Sequence, residues 1–302
     1  MSFLCAISVF TVSLWCLFNP TLTTETQTEV YSTPIVSVLD FGSSPIAKQA
    51  ADILRNRFRS TGDVRVADAD LSRSAAKGIG YSGSLNLSVA EARDLGAALA
   101  TEFYVLGDAQ TLRRSSSQSP IYYESYCSLF VVSARTGRLL SWERPSFENL
   151  EATIAESKLS QYLADDALTR RVIALIKTSD EAELRQRIAP PAAVETLIED
   201  APDDEKAAEI NGIRLPRPFR RLKPEYPETA AKAEAEATVD VAVDVGADGE
   251  IGEVQIVRWA GFGLDESTVA TVRQLHFFPA MKNGTPIPMR VLLRYNFRKP
   301  PR

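Results

Sequence analysis

The most regular alternation of apolar and polar positions lies near the C-terminal end. From Glu236 to Val245, Ala237, Val239, Val241, Val243 and Val245 share one parity, and Glu236, Thr238, Asp240, Ala242 and Asp244 share the other. A period of two sends successive side chains to opposite faces, so the pattern predicts a half-buried strand. Ala247-Asp248-Gly249-Glu250 follows as a hairpin turn in which Gly249 is free to take a positive φ. IGEVQIVRW then returns as a second strand, broken by Gly261 and Gly263. LDESTVATVRQL reads as a helix: Leu264, Val269, Val272 and Leu275 form its apolar face, and acids occupy its first turn, where the dipole favours them. Phe277 and Phe278 are expected to plug the core, Pro279 to stop the helix, and Asn283-Gly284 to turn the chain. In the last strand Met289, Val291, Leu293, Tyr295 and Phe297 face inward, while Arg290, Arg294, Asn296 and Arg298 face out, with Leu292 as the apolar exception. The whole is a small α+β unit of β-β-α-β order. One helix covers only one face of three strands, and such a sheet keeps two edges open to another strand. Pro286 and Pro288 precede the last strand rather than interrupt it, so its ladder groups stay free. That strand, with Arg290, Leu292, Arg294 and Asn296 on its outward side, is the candidate partner-binding edge.

The first half of the chain has a different rhythm. PIVSVLDFG is a short apolar strand, and Ala47 to Phe58 is a helix with Ala50, Ile53, Leu54 and Phe58 on one face. DVRVAD reads as a second strand. Ser88-Val-Ala-Glu91 fits a capping box for a helix that runs to Leu99. EFYVLGDAQTL, YYESYCSLFVVSA and RLLSW supply three more strands, and Leu150 to Thr178 reads as one long amphipathic helix. Strands alternating with helices and then a hairpin predict an α/β domain with a mixed sheet.

These patterns divide the chain into four parts. Residues 1–24 carry no charged side chain, and Phe3 to Phe18 is almost wholly apolar, which predicts an export signal or membrane anchor. The α/β domain runs from about Tyr31 to Arg187. An acidic linker, Ile188 to Leu215, opens with Pro190-Pro191 and carries seven acids, from Glu195 to Glu209, so it is expected to be extended or loosely helical. The last domain spans 216–302. Across this boundary the charge reverses: Arg214, Arg217, Arg220, Arg221 and Lys223 form a solvated basic face or a contact for an anionic surface.

Composition adds mainly exclusions. A chain of 302 residues, 45% apolar and 24% charged, holds about two globular domains. Its net charge of −5 gives no reason to expect nucleic acid. Cys5 and Cys16 fall in the apolar N-terminus, which leaves Cys127 alone in the folded part, and His276 is the one histidine. No nucleophile–base pair and no Cys/His cluster with ligand spacing is visible, so neither catalysis, metal nor cofactor is expected. Gly78-Ile-Gly80-Tyr-Ser-Gly83 matches a G-x-G-x-x-G pattern but lacks the preceding strand that a dinucleotide site needs, so it reads as a loop. His276, at a helix end, reads as a packing or capping residue.

Two resemblances extend this reading. The strand VSVLDF, the segment SVAEARDLGAALATEFYVLG and the hairpin with TGRLL resemble the α/β domain of the CsgG, FlgO and TolB N-terminal groups of bacterial envelope proteins. That resemblance implies an assembly or binding role in the envelope. The C-terminal part is similar to the TonB C-terminal domain of energy transducers. It shares Tyr226-Pro227 before the first strand, Asp248-Gly249 in the hairpin, Leu264-Asp265-Glu266 opening the helix, and Phe278-Pro279-Ala280 with Asn283-Gly284 before the last strand. This resemblance implies binding of a short extended peptide of an outer-membrane transporter, added beside the last strand in support of energy-coupled transport. It also implies proton-channel partners at the inner membrane and a location in the cell envelope, either anchored with periplasmic domains or exported to the periplasm. The alternative is a periplasmic scaffold or secretion-accessory protein that uses the same edge for protein–protein contact, a homodimer included.

Overall fold

The computed structural model describes residues 33–115, 121–189, 198–202, 208–209 and 212–299. The expected export segment, residues 1–24, lies outside the described residues, as does much of the linker. Among the described residues, no helix is long and apolar enough to cross a membrane.

The first domain is built from β1 (Ile35–Val38), α1 (Pro45–Thr61), β2 (Arg65–Val66), α2 (Ala69–Gly78), α3 (Val89–Leu99), β3 (Phe103–Arg114), β4 (Tyr122–Ser133), β5 (Leu139–Glu143), β6 (Ser146–Asn149), α4 (Ala152–Leu163) and α5 (Asp166–Ile188). Its strands form a mixed sheet in the order β2-β1-β3-β4-β5, with β6 also on β4. β1 is parallel to β2 and β3, and the remaining pairs are antiparallel. Helix starts follow local chemistry. Ser88 and Glu91 make the reciprocal capping box. Asp68 accepts from the N–H groups of Asp70 and Leu71 and starts α2, a helix absent from the sequence reading. The single helix expected over 150–178 is two, because Asp165 accepts the Ala167 N–H and begins a second helix.

Alternation along the long strands divides the core. Phe103, Val105, Leu129 and Val131 pack with α1, α4 and α5, while Tyr104, Leu106, Phe130 and Val132 pack with α2 and α3. Helices therefore cover both faces of the sheet.

The remainder comprises β7 (Glu199–Asp200), β8 (Ile213–Arg214), β9 (Arg217–Pro218), α6 (Glu228–Ala233), β10 (Ala237–Val245), β11 (Ile251–Arg258), α7 (Leu264–Val272), β12 (Phe277–Phe278), β13 (Ala280–Lys282), β14 (Thr285–Ile287) and β15 (Met289–Phe297). Its main sheet has the order β11-β10-β15-β7. The β-β-α-β order is present, with α6 added in front. Val239, Val241, Val243 and Val245 meet Leu264, Val272, Leu275 and Phe277 in one core. Phe278 corrects the sequence reading. β12 pairs with β9 as a strand, so adjacent residues point oppositely: Phe277 is 2% exposed, whereas Phe278 is 56% exposed and lies against Phe219 with ring centroids 4.2 Å apart. Asn283 (φ 52°) and Gly284 (φ 87°) both take left-handed φ, as a two-residue β13–β14 hairpin turn requires.

Trp259, just after β11, leaves its own sheet and enters the α/β domain. It is 2% exposed, packs beside Phe130 and donates its indole N–H to the Gly137 carbonyl at 3.0 Å. Asn86 works from the other side. Its Nδ2 donates to the carbonyls of Thr238 (2.8 Å) and Trp259 (2.7 Å), and its Oδ1 accepts the Thr238 N–H (3.0 Å). Gly261 has φ +70°, and a Cβ there would sit 2.6 Å from the Phe130 ring, so the approach of the two domains needs glycine at this point.

Candidate peptide-docking edge

β10 is the middle of the second sheet and pairs with β15 antiparallel over nine residues, from Ala237↔Phe297 to Val245↔Met289, without a register shift. Arg290, Leu292, Arg294 and Asn296 all lie on β15 with their side chains on the sheet face away from the valine core. The face is more ordered than the sequence suggested. Arg290 grips Asp244 with a fork of 2.5 and 2.9 Å, and Arg294 grips Asp240 with one of 2.7 and 2.9 Å. Asp244 and Asp240 are only 6% and 4% exposed, so charge pairing, not solvation, satisfies them. Hydrogen bonding to Asp244 and to Asp240 raises the pKa of Arg290 and Arg294 respectively, which keeps both cationic. Thr238 and Asn296 are also linked, at 2.8 Å. Leu292 stands out between the two forks at 59% exposure.

The backbone shows which groups face outward. Ala201 N–H donates to the Arg290 carbonyl at 2.7 Å on the side away from β10. The N–H and C=O of one strand residue point the same way and alternate along the chain. The backbone groups of Leu292, Arg294 and Asn296 therefore face the same outer edge. Those of Met289, Val291, Leu293, Tyr295 and Phe297 face β10. The same alternation puts Arg290/Asp244 and Arg294/Asp240 at non-hydrogen-bonded positions, where facing side chains come closest, and this explains the two tight forks. Among the described residues, only Glu199 and Asp200 of β7 pair with this edge, opposite Met289 and Arg290.

The opposite edge, β11, is treated differently. Arg258 bridges to Ser88, the Trp259 N–H donates to the Leu87 carbonyl at 3.1 Å, and Arg258 reaches Glu91 at 3.0 Å. Beyond that anchored end, a groove of about 1050 Å³ lies between β5, β11 and α7, lined in part by Leu139, Trp142, Val254, Ile256 and Val269. Asp265 borders it. Its carboxylate accepts the N–H groups of Ala260 (2.9 Å) and Gly261 (2.7 Å), and burial pushes its pKa up to about 6 against the opposing pull of those two bonds.

The other singled-out residues are structural in their surroundings. His276 is well exposed, lies 3.4 Å from Glu250 and lends its carbonyl to Phe219 N–H. Gly78 to Gly83 follows a helix, not a strand. Cys127 is fully buried, and desolvation raises its thiol pKa. Among the described residues, no group of three or more His, Cys, Asp or Glu is placed to hold a metal ion.

The family comparison falls on this second sheet. Residues 223–298 match the family of the Gram-negative bacterial TonB protein C-terminal domain. Similar solved structures include the Pseudomonas aeruginosa TonB C-terminal domain, 22% identical over 29% of this chain and 89% of that one, with a TM-score of 0.25. Hypothetical protein CT253 from Chlamydia trachomatis is 14% identical, covers 50% of this chain and 99% of that one, and has a TM-score of 0.33. The LpoB C-terminal domain from Salmonella enterica is 14% identical over 40% of this chain and 87% of that one, with a TM-score of 0.27. No curated protein matches. The family match makes the segment from just before α6 to the end of β15 TonB-like and points to protein–protein contact in the bacterial cell envelope.

Proposed function

We propose that this protein binds an extended peptide of an outer-membrane transporter by adding it as a strand to the outer edge of β15, in support of energy-coupled transport. The observation that carries the reading is the free edge itself. Six backbone groups, the N–H and C=O of Leu292, Arg294 and Asn296, face outward on a TonB-like module and have no ladder partner among the described residues. Strand addition draws its affinity from such groups. The function is binding, not catalysis. The N-terminal apolar segment would hold the protein at the inner membrane or export it, and the α/β domain would present the module and contact a second envelope component.

The test is fluorescence anisotropy of the full-length protein against labelled N-terminal segments of outer-membrane transporters. Leu292→Pro removes an outward donor and clashes with an added strand, so binding should fall by roughly 30-fold or more. Leu292→Ala keeps the backbone and should change affinity by less than about three-fold. Circular dichroism checks that the proline variant is folded. A folded Leu292→Pro protein that binds at full affinity overturns the reading.

A further inference from the structure

The residues of β7 sit where a docked strand would begin. They run parallel to β15, and Ala201 continues the pairing through its 2.7 Å bond to the Arg290 carbonyl. Both side chains of β7 are acidic and exposed, and both have cationic neighbours. Glu199 lies 3.8 Å from the Lys282 ammonium. The Arg290 guanidinium, held first by Asp244, also feels the charge of Asp200. Farther along the edge Arg294 repeats the same setting, with its inner side on Asp240 and its outer side exposed. The edge is thus bordered by cations at Lys282, Arg290 and Arg294. Its present occupant matches them in charge and lies in one defined direction.

We propose that this edge selects an acidic extended segment lying parallel to β15, and that Ile198–Pro202 is its resident occupant, which a partner must displace. The inference rests on the docking-edge reading above and adds the direction, the charge and the competitor. The occupant is weakly held. Its ladder covers two residues and its ion pair is long. Because it belongs to the same chain, it acts at a high effective concentration and lowers the apparent affinity of any competitor.

The test uses a labelled peptide with the sequence of residues 196–202, TLIEDAP, titrated with full-length protein. Ala201→Pro removes the donor to Arg290, and the double change Glu199→Lys/Asp200→Lys reverses the charge of the resident segment. Neither changes a residue of β15. Each should raise the affinity for the added peptide about three- to ten-fold by removing the internal competitor. The charge-reversed peptide TLIKKAP should bind roughly ten-fold more weakly than TLIEDAP. If both variants leave affinity unchanged while Leu292→Pro abolishes it, the resident-occupant inference fails and the docking edge stands. If folded Leu292→Pro binds TLIEDAP normally, the docking-edge reading fails with it. Equal binding of the two peptides, or no binding of TLIEDAP to any variant, overturns the inference.

Discussion

The two edges of the TonB-like sheet are held by opposite means. β11 ends against the α/β domain, where Trp259 is buried in a foreign core and Asn86 bonds the ends of both neighbouring strands. β15 is covered, among the described residues, only by the short segment Glu199 to Ala201. Burying an indole removes a large apolar surface from water, whereas exposed ion pairs contribute about 0–1 kcal/mol. One edge is therefore anchored at its end for the lifetime of the fold. The other is covered at its start by an interaction weak enough to exchange.

That contrast can be broken at its strong end first. Trp259→Ala should destabilise the protein by about 3–5 kcal/mol, because it leaves a cavity under Phe130 and an unpaired Gly137 carbonyl. Denaturant unfolding of the full chain measures this, and a loss below about 1 kcal/mol would show that the junction is not held by this side chain.

A smaller effect is pH-dependent. Asp265 holds its proton more tightly in the folded state, at about 6 against an ordinary 3.8, because burial penalises the carboxylate. The folded state therefore gains from the proton at low pH and loses that gain as pH rises from about 4 through 6, by on the order of 3 kcal/mol. Stability of the wild type minus that of Asp265→Asn should fall across this window. A difference that is flat or rises with pH would place the carboxylate's charge, rather than its proton, in the fold.

The smallest change is at Phe278, read against its neighbour. Phe278→Ser should alter stability by less than about 1 kcal/mol, whereas Phe277→Ala should cost about 3–5 kcal/mol. Parity in a two-residue strand separates them, and equal thermal shifts would contradict the β9–β12 pairing.

These contrasts also mark what the sequence could show. β10 and β15 were legible because their alternation is strict in the first and broken only at Leu292 in the second. The capping box at Ser88 was legible for the same local reason. Phe278 was misread because a two-residue strand is too short to display a period, and two consecutive aromatics resemble a core run. The break at Asp165 had a local signal, an acidic cap before an apolar turn, but continuous amphipathicity on both sides obscured it. At the candidate site, the parity of Arg290, Leu292, Arg294 and Asn296 was readable. Their aspartate partners were not, because Asp240 and Asp244 looked like ordinary solvent-facing acids until register placed them opposite arginines. Trp259 and the β7 pairing depend on contacts between segments remote in sequence, for which local pattern carries no mark.

The unbroken β10–β15 ladder has a mechanical consequence. The β10–β11 pairing carries two register shifts, while the β10–β15 pairing carries none over nine residues. A strand lying along β15 and drawn in its own direction would load the hydrogen bonds in shear, all at once, instead of peeling them one after another. The pull would pass through β10 to Thr238, where the Asn86 amide transfers it to the neighbouring domain. Such a sheet resists tension lengthwise and would release a strand on this edge sideways.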